Sequence, residues 1–326
     1  MTPDISVRII TYNQVRFIRQ TLESVLAQQT DYSYEIVIGD DCSTDGTSEI
    51  IDEYARRLPD VIRVLRPERN LGANLNDIRT RAACRGRYIA WLDGDDYWTD
   101  PHKLQKQVSF LESHPDFILA FHNALVRDEA SGKQWLFNGD LPEEVTGKEV
   151  LEEWLVSNSS LVYRNPHRPD PDFFYGSTLT DLGVIMLLSD MGRLRYFPEV
   201  MSVYRLHPRS LSSVGFRGIR HNKKSVRLFR ELDTALGFKY HAIFRRRIAQ
   251  YTLSTGVLYA YEGHRALTLR YLCRALKADP RIAVSEPRYI LIASLGVLSP
   301  GLLGALRRLK RRLAGKEGAA PGHPSH

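Results

Sequence analysis

Between Ile5 and Asp96 short apolar runs alternate with longer amphipathic ones. Ile5–Ile10, Glu35–Gly39, Val61–Leu65 and Tyr88–Leu92 read as strands, and Gln14–Gln29, Thr44–Leu58 and Leu75–Cys84 as helices. The first helix carries Phe17, Ile18, Leu22, Val25 and Leu26 on one stripe, the period expected of a helix with one buried face. Short strands without polar alternation need cover on both faces, and helices inserted between parallel strands provide it. The pattern predicts an α/β fold: a Rossmann-like, mostly parallel central sheet with helices on both faces. Such sheets collect ligands at the carboxyl ends of their strands. That rule puts Thr11, the pair Asp40 and Asp41, and the acids from Asp93 to Asp96 on one rim.

A chain of 326 residues has room for one large α/β domain and a smaller appendage. Further helices are predicted over Pro101–His114 and Asp181–Met191, and a strand over Phe197–Tyr204. Beyond about Arg217 only helices are legible. Arg245–Tyr261 and His264–Ala278 form a predicted hairpin turning at Glu262-Gly263, similar to one tetratricopeptide-like unit and read as packing, because one unit makes no array. The predicted organisation is a catalytic domain over 1–215, a helical region over 216–316 and a disordered tail over 317–326.

The net charge of +7 admits nucleic acid, an anionic membrane surface or phosphorylated substrates as partners. The basic stretches Arg217–Arg230 and Arg307–Lys316 are not interleaved with aromatics in the way of a single-strand-binding groove, which argues against nucleic acid. Tyr289–Leu306 is strongly apolar but broken by Gly296, Pro300, Gly301 and Gly304. A helix pair in the membrane interface, a helix packed on the protein and a true span remain open, and the adjoining basic run favours an anionic leaflet. Asp4 and Arg8 mark the first apolar segment as a strand rather than an export signal. Three widely spaced cysteines indicate neither disulfides nor a Cys-based metal site. A cytoplasmic protein, peripheral at the inner face of the membrane, is expected.

Asp93-Gly94-Asp95-Asp96 carries the most chemistry. Acids crowded at the end of a buried strand repel unless a cation lies between them, and Mg²⁺ or Mn²⁺ takes a few carboxylates while leaving positions for phosphate oxygens. Asp-x-Asp spacing lets two side chains converge across one small residue. Asp40 and Asp41 are expected to accept hydrogen bonds from a base or ribose, and Ser43, Thr44 and Asp45 to cap the following helix.

In order along the chain stand Ile9-Ile10-Thr11-Tyr12-Asn13, the helix Thr21–Gln28, Asp40-Asp41-Cys42-Ser43-Thr44-Asp45-Gly46-Thr47, Asn70-Leu71-Gly72 and Leu92-Asp93-Gly94-Asp95-Asp96. This succession, within residues 5–215, resembles the family 2 glycosyltransferases of GT-A fold, the bacterial envelope-polysaccharide type in particular. The resemblance implies an inverting transfer of sugar from a nucleotide-diphosphate sugar to a glycan or lipid-linked glycan. It implies donor contacts from Thr11, Tyr12, Asp40, Asp41, Arg79, Asp93 and Arg205, and metal contacts from Asp93, Asp95 and His207, the last within Tyr204-Arg205-Leu206-His207. Asp181 falls where the family keeps its general base, with Leu182 replacing the usual aromatic. Asn76 stands two positions before the place of the family's Arg/Lys-Asn pair. Two other classes were weighed: a catalytically silent glycan- or nucleotide-binding scaffold, and a sugar-phosphate nucleotidyltransferase, whose Gly-rich basic loop is absent after the first strand.

Overall fold

The computed structural model describes residues 2–210, 218–299, 301 and 303–305. The chain divides into two compact units, Met1–Gly215 and Phe216–His326.

The first unit opens as the alternation requires: β1 (Ile5–Thr11), α1 (Ile18–Leu26), β2 (Tyr34–Asp40), α2 (Thr47–Arg57), β3 (Ile62–Leu65), α3 (Ala73–Ala82) and β4 (Tyr88–Asp93). It continues with β5 (Tyr97–Trp98), α4 (Lys103–Ser113), β6 (Phe117–Asp128), β7 (Gln134–Leu136), β8 (Glu144–Val145), α5 (Gly147–Glu152), β9 (Val162–Arg164), α6 (Thr180–Ser189) and β10 (Arg193–Leu206). One sheet runs in the order β3-β2-β1-β4-β9-β6-β10-β5. Pairing is parallel from β3 through β4, and β6 is parallel to β10. The short β9 runs antiparallel between β4 and β6. Two reversals restore direction, so β1, β2, β4, β6 and β10 all end on the same rim.

Packing follows from residue type. Ile5, Val7 and Ile9 of β1 join Ile18, Leu22 and Val25 of α1 and Leu104, Val108 and Leu111 of α4 in one fully buried cluster. Each such aliphatic side chain contributes roughly 1.5–3 kcal/mol when taken out of water. Trp91 and Trp98 are both buried in the core. The helix expected from Gln14 begins only at Ile18, because Asn13 is left-handed with φ 55° and residues 14–17 turn before the helix starts.

The second unit contains α7 (Ile219–Ala235), α8 (His241–Tyr261), α9 (Arg265–Ala278), α10 (Ile282–Ser285) and α11 (Pro287–Leu298). The hairpin α8–α9 packs Leu253 and Val257 against Ala275, and Ala293 of α11 closes this core. Gly296 of α11 approaches α8 so closely that a Cβ there would lie 3.0 Å from Ala260 Cα. No helix among the described residues is long and apolar enough to cross a membrane. The basic run 307–316 and the tail 317–326 lie outside the described residues.

Candidate active site

The rim is assembled by two interlaced loops. After β1, Thr11 donates its hydroxyl to Gln14 Oε1 at 2.8 Å, and Tyr12 stands 47% exposed beside it. Asn13 N–H donates to Ser43 Oγ, Gln14 N–H to Thr47 Oγ1 and Val15 N–H to Asp45 Oδ2, at 2.8–3.1 Å. Thr44 N–H donates to Asn13 Oδ1 at 2.8 Å. Ser43 therefore stitches the β1 loop in place, and Asp45 does so with Oδ2 while its Oδ1 takes the Thr47 N–H at 3.1 Å where α2 starts, behind a left-handed Gly46.

The acids after β2 serve the same framework. Asp40 is buried, accepts from Ser43 N–H at 3.1 Å and from the Ser48 hydroxyl, and pairs with Arg66 Nε at 2.9 Å. Burial pushes its carboxyl up, but the bonds from Ser43, Ser48 and Arg66 win and hold it below the usual range. Asp41 receives the backbone N–H groups of Leu71 and Gly72 at 2.9 and 2.8 Å. Both carboxylates thus hold loops at the rim. Arg79 is likewise occupied: Nε and Nη2 reach Asn76 Oδ1, and Nη2 reaches the Leu65 carbonyl at 3.1 Å. The early Asn76 noted in the sequence is the partner that orients it.

Asp93, Asp95 and Asp96 separate into three roles. The turn fits under β1 only because Gly94 has no side chain; a Cβ there would lie 2.7 Å from Thr11 Oγ1. Thr21 of α1 pins the turn by donating to the carbonyls of Gly94 and Asp96 at 3.0 and 2.7 Å. Asp93 Oδ1 accepts from Arg8 Nη1 at 2.7 Å and Oδ2 from Asn158 Nδ2 at 3.1 Å. Both oxygens of Asp93 are thus engaged by protein side chains. Asp95 Oδ2 faces His207 Nε2 at 3.0 Å, so this pair does meet on the rim. Asp96 is buried, takes the Arg205 N–H at 2.8 Å on Oδ1, and its Oδ2 has no hydrogen-bond partner among the described residues. Burial, then repulsion from Asp95 and Asp93, raises its carboxyl well above the ordinary range.

Arg205, expected on the diphosphate, serves as a strut. It is buried, 4.4 Å over the Tyr97 ring and 5.0 Å from that of Phe17, and donates to the Asp95 carbonyl and to Gln20 Oε1. A stacked, multiply bonded guanidinium fixes the backbone that carries Asp95. His207 lies just past β10, tilted 4.9 Å from Phe17, and accepts the Arg209 N–H on Nδ1 at 3.3 Å.

Asp181 lies in the first turn of α6 and accepts the Leu182 N–H at 2.8 Å. Burial first, then the charges of Asp77 and Asp93, raise its carboxyl to about 6, with Arg8 opposing. Asp93 and Arg8 thus lie close enough to Asp181 to act on its charge. A carboxylate so raised accepts a proton readily near neutrality.

Sequence reading passed over Arg8, Asp77 and Asn158. Their signal was a charge within an apolar strand: Arg8 is 2% exposed between Val7 and Ile9, and a buried guanidinium demands acids. Asp77 supplies one, at 2.7 Å from Arg8 Nε.

For a cation the rim offers one carboxylate and one imidazole, Asp95 and His207, at hydrogen-bond distance. Among the described residues no group of three or more His, Cys, Asp or Glu side chains is arranged to hold a metal alone. Mg²⁺ and Mn²⁺ characteristically take few protein ligands and complete their shell with water and phosphate oxygens, so this pair fits such an ion.

Residues 6–156 match the family model described as glycosyl transferase family 2. The N-terminal part of the chain is thus similar to glycosyl transferase family 2. An uncharacterized protein of Mycobacterium tuberculosis is 36% identical over 204 residues, 62% of this chain and 58% of its own length. The chain therefore spans less than two thirds of that relative. The putative teichuronic acid biosynthesis glycosyltransferase TuaG of Bacillus subtilis is 29% identical, covering 71% of this chain and 89% of its own. The putative glycosyltransferase EpsE of the same organism is 28% identical, over 89% and 92%. Among solved structures, S. aureus TarS 1–349 in complex with UDP-GlcNAc has a TM-score of 0.61 at 16% identity, covering 94% of this chain and 92% of its own. That likeness shows the fold, which is the GT-A arrangement of the family.

Proposed function

We propose that this protein is an inverting, metal-dependent glycosyltransferase of cell-surface polysaccharide or glycolipid synthesis. The observation that carries the reading is the pairing of Asp95 with His207 on a rim that also holds Asp93, whose charge acts on the raised carboxylate of Asp181. TuaG and EpsE support the glycosyltransferase reading through their names, and that of TuaG adds teichuronic acid biosynthesis. The donor is a nucleotide-diphosphate sugar. Thr11 and Tyr12 border the nucleoside, and Asp93, clamped by Arg8 and Asn158, offers a fixed edge to the ribose. Mg²⁺ or Mn²⁺, held by Asp95 and His207, would neutralise charge on the departing diphosphate. Asp181 takes the proton from the acceptor hydroxyl as its oxygen bonds the anomeric carbon and the bond from that carbon to phosphate breaks. One displacement from the opposite face inverts the centre.

Donor hydrolysis and transfer across a panel of nucleotide sugars test this. Asp181→Asn is expected to keep donor binding and lose turnover by about 10²–10⁴-fold, the usual worth of a positioned base. A silent scaffold would be indifferent to the change.

The acceptor is read as a glycan or lipid-linked glycan, worked at an anionic membrane surface from the cytoplasmic side. On α11, Arg288, Leu291, Leu295 and Leu298 share one face, with Leu291 59% and Leu298 78% exposed. The sequence then supplies Arg307, Arg308, Lys310, Arg311, Arg312 and Lys316. An apolar helix face beside a basic cluster suits anionic headgroups. Co-sedimentation with phosphatidylglycerol vesicles, but not phosphatidylcholine ones, is the expected result. Equal recovery in both supernatants contradicts it.

A further inference from the structure

The ions behind Asp93 do more than a strand core needs. Ile5, Val7 and Ile9 of β1 are fully buried aliphatics, and an aliphatic at position 8 would meet the same burial without desolvating a charge. Arg8 instead directs Nε and Nη2 to Asp77 Oδ1 and Nη1 to Asp93 Oδ1. Asp77 Oδ2 takes Arg81 Nε at 2.9 Å, and Arg81 Nη1 ends on Asp170 Oδ1 at 2.6 Å. Both guanidinium groups lie over the Trp91 ring, 4.7 and 5.7 Å from its centroid. A planar fork stacked on a ring and bonded to two acids has one orientation that serves all three contacts. Asn158 closes on the remaining oxygen of Asp93.

Two carboxylates separated by one glycine can both turn to a single cation. Here Arg8 occupies one of them. We propose that Arg8 is a positioning residue of the donor site: with Asn158 it clamps Asp93 away from the cation and toward the nucleoside, leaving Asp95 and His207 as the protein's metal ligands. The proposal rests on the transferase reading. Its consequence is a division of labour in which Arg8 governs nucleotide affinity while cation affinity depends on Asp95. Asp77 and Arg81 act behind Arg8, so their influence decreases along the chain of ions.

The test uses the full chain, Mn²⁺ alone, and then UDP, GDP, dTDP and ADP with Mn²⁺, each titrated calorimetrically, with melting followed by circular dichroism. In Arg8→Met, nucleoside diphosphate binding is expected to weaken about tenfold, as for other residues that orient a ligand-binding group, while Mn²⁺ binding holds or tightens. Arg8→Lys recovers part of the loss, and Asp77→Asn shows a smaller loss in the same direction. The proposal is overturned if Arg8→Met binds nucleotide as the parent does, or if cation and nucleotide affinities fall together in proportion to melting temperature. Should Arg8→Met fail to fold, Asn158→Ala carries the test with the same expected split, and parental nucleotide affinity in that variant overturns the clamp. A parent protein that binds none of the four diphosphates sinks the transferase reading itself; a parent that binds beside unaffected variants sinks only the clamp.

Discussion

Asp181 shows how one side chain's chemistry is set by what surrounds it. Its carboxyl is raised to about 6, chiefly by burial. Turnover that needs its ionised form should fall as pH drops through about 6, and Asp181→Asn should flatten that limb of the profile. The stability consequence has a definite sign. Between the unfolded value near 4 and the folded value near 6, the native state binds more protons, so stability declines as pH rises through that window. Asp181→Asn should therefore melt higher than the parent at pH 7.5 and level with it at pH 4. A variant that melts lower at pH 7.5 contradicts the burial of charge there. At this scale the sequence was legible where acids followed a strand or opened a helix. Asp95 and Asp181 stand out in that way. The internal bonds of Asp40, Asp41 and Arg205 were not legible, because residue type does not say which backbone groups a buried polar side chain meets. Asp41 faces the Leu71 and Gly72 amides. Arg205 faces the Asp95 carbonyl.

At the scale of elements, the β4–β5 turn depends on two neighbours. Gly94 passes under Thr11, and Thr21 of α1 satisfies two of the turn's carbonyls. Gly94→Ala is predicted to cost about 1–3 kcal/mol of stability through overpacking and to displace Asp95 from His207. Thr21→Val keeps the shape but leaves two carbonyls short of a donor, for a loss of about 1–3 kcal/mol. Chemical denaturation measures both. Thr21→Val should also weaken nucleotide binding, since the turn it anchors carries the acids. The parallel half of the sheet was readable because each strand is short and bounded by turn residues. β6 and β10 were not read in full. β6 is buried along most of its length and so shows no period, and β10 shifts register against β6 near Phe197, Val200 and Ser202. Both lie on the far side of the short antiparallel β9, which no local signal in the sequence announced.

At the scale of the molecule, the chain divides into an α/β unit and a helical unit. The first brings five strand ends to one rim, which is why residues from Thr11 to His207 meet there. The second presents Leu291 and Leu298 next to a basic sequence. Leu291→Ser with Leu298→Ser should reduce recovery on anionic vesicles without changing nucleotide affinity, because those residues belong to the helical unit alone. Cation and nucleotide should bind as one coupled system, since the protein offers the ion only two side chains. Calorimetric titration of UDP, GDP, dTDP and ADP, with Mn²⁺ and then with excess chelator, reads that coupling in the parent and in Asp95→Ala. At least one diphosphate should bind the parent tenfold or more tightly with Mn²⁺ than without, in keeping with a site completed by phosphate oxygens, and Asp95→Ala should erase the difference. Identical affinities with and without the cation, or an Asp95→Ala protein that keeps the enhancement, would contradict it.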